Sequence, residues 1–190
     1  RPAVAASTRS APPERAPHRI RVRIMATVQL LDIVTEADRA AVMSLRVKPE
    51  QDRFVESVEG SLREAVVEAR ACPRMWSVYD DDQVVGFVMI SDGIPPERLA
   101  EDGDLIGPYY LWRLLIDERY QRRGFGTAAL DRVVEYLRTR PNADALLTSA
   151  GQGEGGPQPF YERYGFVPTG EMKFGEVVLR LDLSSGASKS

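Results

Sequence analysis

The chain has 190 residues, 43% hydrophobic and 28% charged, with a net charge of −3, which suffices for one core of ordinary size and includes no apolar run of membrane-spanning length. A single cysteine, Cys72, excludes an intrachain disulfide and points to a reducing cytoplasm as the compartment. The only histidine, His18, lies in the N-terminal segment, which excludes a Ser-His-Asp triad and a histidine-rich metal site, so no metal is expected.

Residues 1–24 differ from all that follows, with six Arg against Glu14, many Pro and Ala, and hardly any bulky apolar side chain. They carry about +5, which leaves about −8 on the rest of the chain. Such a segment cannot bury enough surface to offset the entropy of ordering it, and is expected to be disordered. Met25 opens the first stretch that reads as structured, so it is the expected native start, with an upstream extension before it. A nucleic-acid-binding arm or an organelle transit peptide is the other reading of so basic a segment. One domain is expected over 25–183, followed by a frayed 184–190.

Within that domain, 28–34 (VQLLDIV) is an apolar run of strand length, closed by Thr35, which with Asp38 three residues on makes a helix start. The helix would bury Ala37, Ala41, Val42 and Leu45. Pro49 interrupts, and a second helix is expected over 51–70, with Phe54, Val58, Leu62, Ala65 and Ala69 on one core-facing stripe. Glu50, Gln51 and Glu56 beside it are candidates for a pocket wall. Cys72-Pro73 ends that helix. Strands follow at 75–79 and 84–91 around a polar hairpin loop, and then an acidic, proline-broken loop at 92–108.

The densest signal comes next. Residues 109–117 (YYLWRLLID) are an aromatic and branched run of strand length, and 128–138 repeat their apolar residues at helical spacing. Between them lies Gln121-Arg122-Arg123-Gly124-Phe125-Gly126-Thr127. Its glycines let a strand-to-helix turn bring backbone close to a ligand, and the first-turn N–H groups of a helix lack partners within it. Such a turn can cradle a phosphate or pyrophosphate, with Arg122 and Arg123 adding charge at the rim. It matches neither the dinucleotide fingerprint nor a Walker loop. A strand at 142–149, a glycine-rich 151–156, a helix carrying Tyr161, and strands at 166–169 and 176–183 complete the chain. The order describes an α/β domain with a mixed central sheet and helices on both faces.

Phe160-Tyr161-Glu162-Arg163-Tyr164-Gly165-Phe166 reads as a short helix with a glycine C-cap running into a strand. Taken with the glycine turn some 35 residues earlier, this F-Y-x-x-x-G-F motif resembles the GNAT superfamily of acetyl-CoA-dependent N-acetyltransferases, and the resemblance covers about 28–183. It implies a GNAT fold with acetyl-CoA as cosubstrate. It also implies that the backbone of Leu114, Leu115 and Ile116 holds the pantetheine arm, that the loop from Gln121 to Thr127 receives the pyrophosphate, and that Tyr161 protonates the departing thiolate. A phenol suits that task in a partly dry site; Tyr164, one turn on, is the understudy.

The sequence departs from the resembled family at the base. Where polyamine-acetylating relatives carry a carboxylate on the central strand, Trp112 stands, followed by Arg113. Glu176, Glu171 or a water chain would have to substitute, and Glu176 is taken as the candidate. A second departure is Glu154, aligned with an Asn that contacts CoA in many relatives. The overall look is closest to bacterial diamine and spermine/spermidine acetyltransferases, and an acidic body favours a small cationic amine over nucleic acid. An amino-sugar antibiotic, an amino-acid derivative or a protein amine as acceptor, and a non-catalytic acyl-CoA-binding module, remain alternatives. No membrane partner is expected, and a homodimer is left open.

Overall fold

The computed structural model describes residues 27–184, so the expectations for the basic segment, Met25 and the tail after Ser184 lie outside the described residues. Seven strands form one sheet: β1 (Gln29–Asp32), β2 (Pro73–Asp80), β3 (Gln83–Asp92), β4 (Tyr109–Ile116), β5 (Ala145–Ala150), β6 (Val167–Lys173) and β7 (Glu176–Asp182). Their spatial order is β1-β2-β3-β4-β5-β7-β6, antiparallel throughout except between β4 and β5. Five helices accompany them: α1 (Glu36–Met43), α2 (Val58–Val67), α3 (Pro96–Glu101), α4 (Phe125–Leu137) and α5 (Gln158–Tyr164). The one parallel pair is a consequence of connectivity, because α4 carries the chain from the end of β4 back to the start of β5. No helix among the described residues is long and apolar enough to cross a membrane.

The sheet is covered on both sides, and β3 shows why its sequence is nearly all apolar. Val85, Val88 and Ile90 enter one core with Ala129, Leu130 and Val133 of α4, while Val84, Phe87 and Met89 enter a second with Val42 of α1 and Leu62 of α2. Successive side chains of a strand point to opposite faces, so a strand buried on both sides reads as a continuous hydrophobic run. Burying each such side chain stabilises the fold by about 1.5–3 kcal/mol relative to exposure. Gly86 sits where a Cβ would come within 2.5 Å of the Leu115 carbonyl oxygen, so it is the lack of a side chain there that lets β4 close on this end of β3.

The expected start of α1 is realised as a capping box: Asp38 N–H donates to Thr35 Oγ1 at 3.1 Å and Thr35 N–H to Asp38 Oδ2 at 2.8 Å. Val42 and Leu45 are buried as read, whereas Ala37 is exposed. The expected long helix over 51–70 is instead a 3₁₀ turn at Pro49–Gln51, α2 after a break, and a second 3₁₀ turn at Ala69–Ala71. Ser57 causes the restart, since its hydroxyl accepts from Gly60 N–H at 3.0 Å and caps the new helix. Val58, Leu62 and Ala65 keep the buried stripe, and Phe54 falls outside it. The loop over 92–108 holds α3, a short helix with Pro96 in its first turn and no buried residue. The sixth strand is longer than read, since β6 continues to Lys173, while β7 ends at Asp182, one residue short of the reading; the turn between them is Phe174-Gly175, both at positive φ (53° and 80°).

Candidate active site

β4 and β5 pair only at Tyr110 with Leu147 and Leu111 with Thr148, and beyond those two positions the strands part. On its other side β4 stays paired with β3 as far as Ile116. The Asp117 N–H bonds the Val85 carbonyl at 3.0 Å, so by strand alternation the main chain of Leu115 also faces β3 while that of Leu114 and Ile116 faces the opening. Of the three residues expected to supply backbone contacts, Leu114 and Ile116 therefore turn their main chain to the opening, where the Ile116 carbonyl also accepts from Gln121. Leu115 does not, and its side chain is buried in the second core.

A bulge between Met89 and Ile90 of β3 displaces the register around Trp112. Before it Tyr109 and Leu111 enter the first core; after it Leu114 and Ile116 do so and Leu115 has moved to the other face. The bulge thus turns Trp112 and Arg113 toward one wall of a cavity of about 1480 Å³ that runs from the start of α4, through the opening, to β7.

At one end of that cavity Gly124 (φ 93°) precedes α4, and the first main-chain bond of the helix is donated by Ala128 to the Gly124 carbonyl. The N–H groups of 124–127 are thus outside the helical ladder. At Gly126 a Cβ would meet the Phe160 ring at 3.3 Å, so glycine keeps the cradle open. The arrangement fits a diphosphate. Arg122 lines this end and is exposed, and Arg163 of α5, which the sequence reading did not single out, joins it. Arg123 is not part of the wall: its guanidinium stacks over Tyr120 and Phe125 at 5.6 and 5.3 Å. Thr127 and Phe125 line the cavity. Gln121 lines it too, and its amide donates to Gln51 Oε1 at 2.8 Å and to the Ile116 carbonyl at 3.0 Å, which pins the loop to its surroundings.

Tyr161 of α5 reaches the middle of the cavity from the first core, with only 7% of its surface exposed. Burial raises its phenol well above the ordinary value, partly opposed by the Thr148 hydroxyl, with Tyr110 and Glu176 adding to the rise. Tyr161 is therefore a protonated donor throughout the neutral range. Tyr164 points elsewhere, donating to Asp131 Oδ1 at 2.9 Å in a second, smaller cavity between α4, α5 and β7.

At the far end stand Glu176, Ser149 and Tyr110. Ser149 Oγ donates to Glu176 Oε2, and Tyr110 Oη lies 2.7 Å from Ser149 Oγ. Glu171 is on the exposed face of β6 and Glu154 is exposed outside the wall, where its carbonyl accepts from Arg53 at 2.8 Å. Glu50 and Gln51 line the cavity, but Glu56 turns back to accept from Ser57. Phe54 is corrected from core to cavity wall: held under the Arg53 guanidinium at 4.6 Å, its ring lies beside Gly151, as does Glu176. The ion pair of Arg113 with Glu64 of α2, at 2.5 Å, was also missed, since nothing local in the sequence links the two.

A mixed sheet parted at its single parallel pair, above a helix start with free N–H groups that suit an anion, is an architecture fitted to an acyl-CoA-dependent transferase. The model of the acetyltransferase (GNAT) family matches residues 32–166, and the chain belongs to that family, whose acetyl donor is acetyl-CoA. It is thus an N-acetyltransferase. Over 153 residues, 79% of this chain and 95% of the relative, it is 30% identical to a spermine/spermidine N(1)-acetyltransferase of Bacillus subtilis. Among solved structures it is similar to an acetyltransferase of Thermus thermophilus (TM-score 0.61, 21% identity, 82% of this chain and 97% of that one). It also resembles the PaiA N-acetyltransferase of Thermoplasma acidophilum crystallised with coenzyme A (TM-score 0.57, 12% identity, 82% and 99% covered).

Proposed function

We propose that the chain transfers the acetyl group of acetyl-CoA to a primary amine of a small cationic molecule of the polyamine type, by direct attack of the amine on the thioester. The observation that carries this reading is the opening between β4 and β5, continuous with the α4 cradle at one end and with Glu176 at the other. Leu114 and Ile116 would bond the pantetheine arm as a missing strand would, and the N–H groups of 124–127 with Arg122 would hold the diphosphate. Tyr161 would give its proton to the departing sulfur. The desolvation that weakens this phenol as an acid also strengthens the thiolate as a base, so the transfer stays matched.

For the acceptor, the support is the carboxylates of the wall, Glu50, Glu64, Glu68, Asp104 and Glu176, together with the name of the Bacillus relative. Two of these are ion-paired, Glu64 with Arg113 and Glu68 with Arg70, and Glu176 accepts from Ser149. Asp104 and its neighbours Leu105 and Ile106 bring the acidic loop into the wall, and Lys173 of β6 bonds the Gly103 carbonyl beside them. This side wall favours a small acceptor over a protein. Cys72 does not line the cavity and instead lies against Arg98, so it has no part in a covalent intermediate. The test is turnover of a panel of polyamines, aminoglycosides and amino-acid amides with acetyl-CoA, read by release of free thiol. Acetylation of spermidine or spermine is expected, and no turnover of any polyamine removes the acceptor assignment.

A further inference from the structure

Resting on the proposed direct attack, we infer that Tyr110, Ser149 and Glu176 form a one-directional relay that takes the proton from the incoming ammonium group and delivers it to solvent. Tyr110 is the point of entry. A carboxylate can only accept, so Ser149 Oγ, bonded to Glu176 Oε2, must donate to it. With its hydrogen committed, Ser149 accepts at 2.7 Å from the Tyr110 hydroxyl, and this leaves the lone pairs of Tyr110 Oη free to accept from a substrate. The direction of the chain is thereby set by its last member.

The placement suits the task. Tyr110 and Ser149 sit on the two strands at the point where β4 and β5 stop pairing, and both line the cavity, as Tyr161 does. Tyr110 is half-buried, and burial raises its phenol, so it enters the relay protonated. Glu176 opens β7 and is part-exposed, which gives the proton an exit. The charged and titratable groups around the chain are Arg113 of β4 with its partner Glu64 of α2, Tyr161 of α5, and Lys173, which faces Glu176 across the hairpin and is bonded to Gly103.

The step balances. As an ammonium N–H passes its proton to Tyr110 Oη, the tyrosine hydroxyl proton moves to Ser149 Oγ and the serine proton to Glu176 Oε2. The products are a neutral amine and a carboxylic acid, and no tyrosinate accumulates. Glu176 then loses its proton to water through its exposed side. This supplies a base where the central strand has Trp112 rather than a carboxylate.

The experiment is the pH profile of kcat/KM for an amine that the panel shows to be acetylated, measured for the wild type, Glu176→Gln, Ser149→Ala, Ser149→Thr and Tyr110→Phe. For Glu176→Gln and Ser149→Ala the expected result is a fall of about a hundredfold near neutral pH and a rate that climbs with hydroxide instead of levelling off, since the amine must then be deprotonated in bulk water. Ser149→Thr keeps the hydroxyl and should restore the wild-type profile, and acetyl-CoA affinity by calorimetry should be unchanged in all variants. Profiles of Glu176→Gln and Ser149→Ala that superimpose on the wild type overturn the relay while leaving the acetyltransferase reading intact. A loss in Ser149→Ala that Ser149→Thr does not recover also overturns it, and a wild type that acetylates no amine overturns both.

Discussion

Tyr161 holds two properties in tension. It belongs to the first core, edge-on to Phe160 and Phe166 with ring centroids 5.3 and 5.4 Å apart, and yet it also lines the cavity where it is proposed to donate a proton. Packing therefore fixes the ring, and removal of the oxygen alone should leave the fold in place. Tyr161→Phe is expected to lower kcat by about two to four orders of magnitude while acetyl-CoA binds as before, as checked by stopped-time thiol release and calorimetry. Burial also makes Tyr161 and Tyr164 a source of alkaline sensitivity, the latter with an added push from its bond to Asp131. The folded chain keeps these protons when the unfolded chain has lost them. The stability they allow is therefore complete below the ordinary phenol value of about 10 and is lost as pH rises from there toward the raised folded value. Melting followed by circular dichroism should show Tm falling above about pH 10, and less steeply in Tyr164→Phe.

Elements differ in how much of their role a linear reading can carry. The strand at 109–117, the glycine turn and the helix of Tyr161 are each specified by neighbours in sequence, so their type and order were legible, and α4 begins at Phe125 as the turn requires. Phe54 was misread because its helical spacing from Val58 looked continuous; the cap at Ser57, three residues before Gly60, was the local signal that the helix restarts there. Tyr110, Ser149 and Glu176 could not be found together, because only the pairing of β5 with β4 and β7 brings them into contact. Asp117 shows the same limit at the end of β4. It is 1% exposed, and burial pushes its carboxyl up, but bonds from the Arg119 guanidinium at 2.7 Å and from the N–H groups of Arg46 and Arg119 hold it below the usual range. These bonds tie the end of β4 to the segment after α1. Asp117→Ala takes the acceptor from two part-buried N–H groups and is expected to cost about 1–3 kcal/mol, read as a lower urea midpoint. Because the folded carboxyl is depressed, its contribution is present above the unfolded carboxylate value and is lost as pH falls through the folded one.

At the scale of the molecule, the sheet has two blocks, β1 to β4 and β5 to β7, joined within the sheet by two residue pairs of β4 with β5 and across its face by α4 and α5 packing into a common core. With the donor's arm proposed to lie along Leu114 and Ile116, binding would add main-chain bonds at that junction. At a hundred times its dissociation constant, acetyl-CoA should stabilise the fold by about 2.7 kcal/mol, a rise in Tm of roughly 5–10 °C. Hydrogen exchange would locate the effect, with the Leu114 and Ile116 amides slowed more than those of β3.

The short run of pairing between β4 and β5 has a consequence for anyone who would harden this protein. An insertion or cross-link that zipped the two strands shut along their full length would raise the melting point and at the same time wall off the place proposed for the donor, so thermal ruggedness and turnover would be set against each other at a single seam.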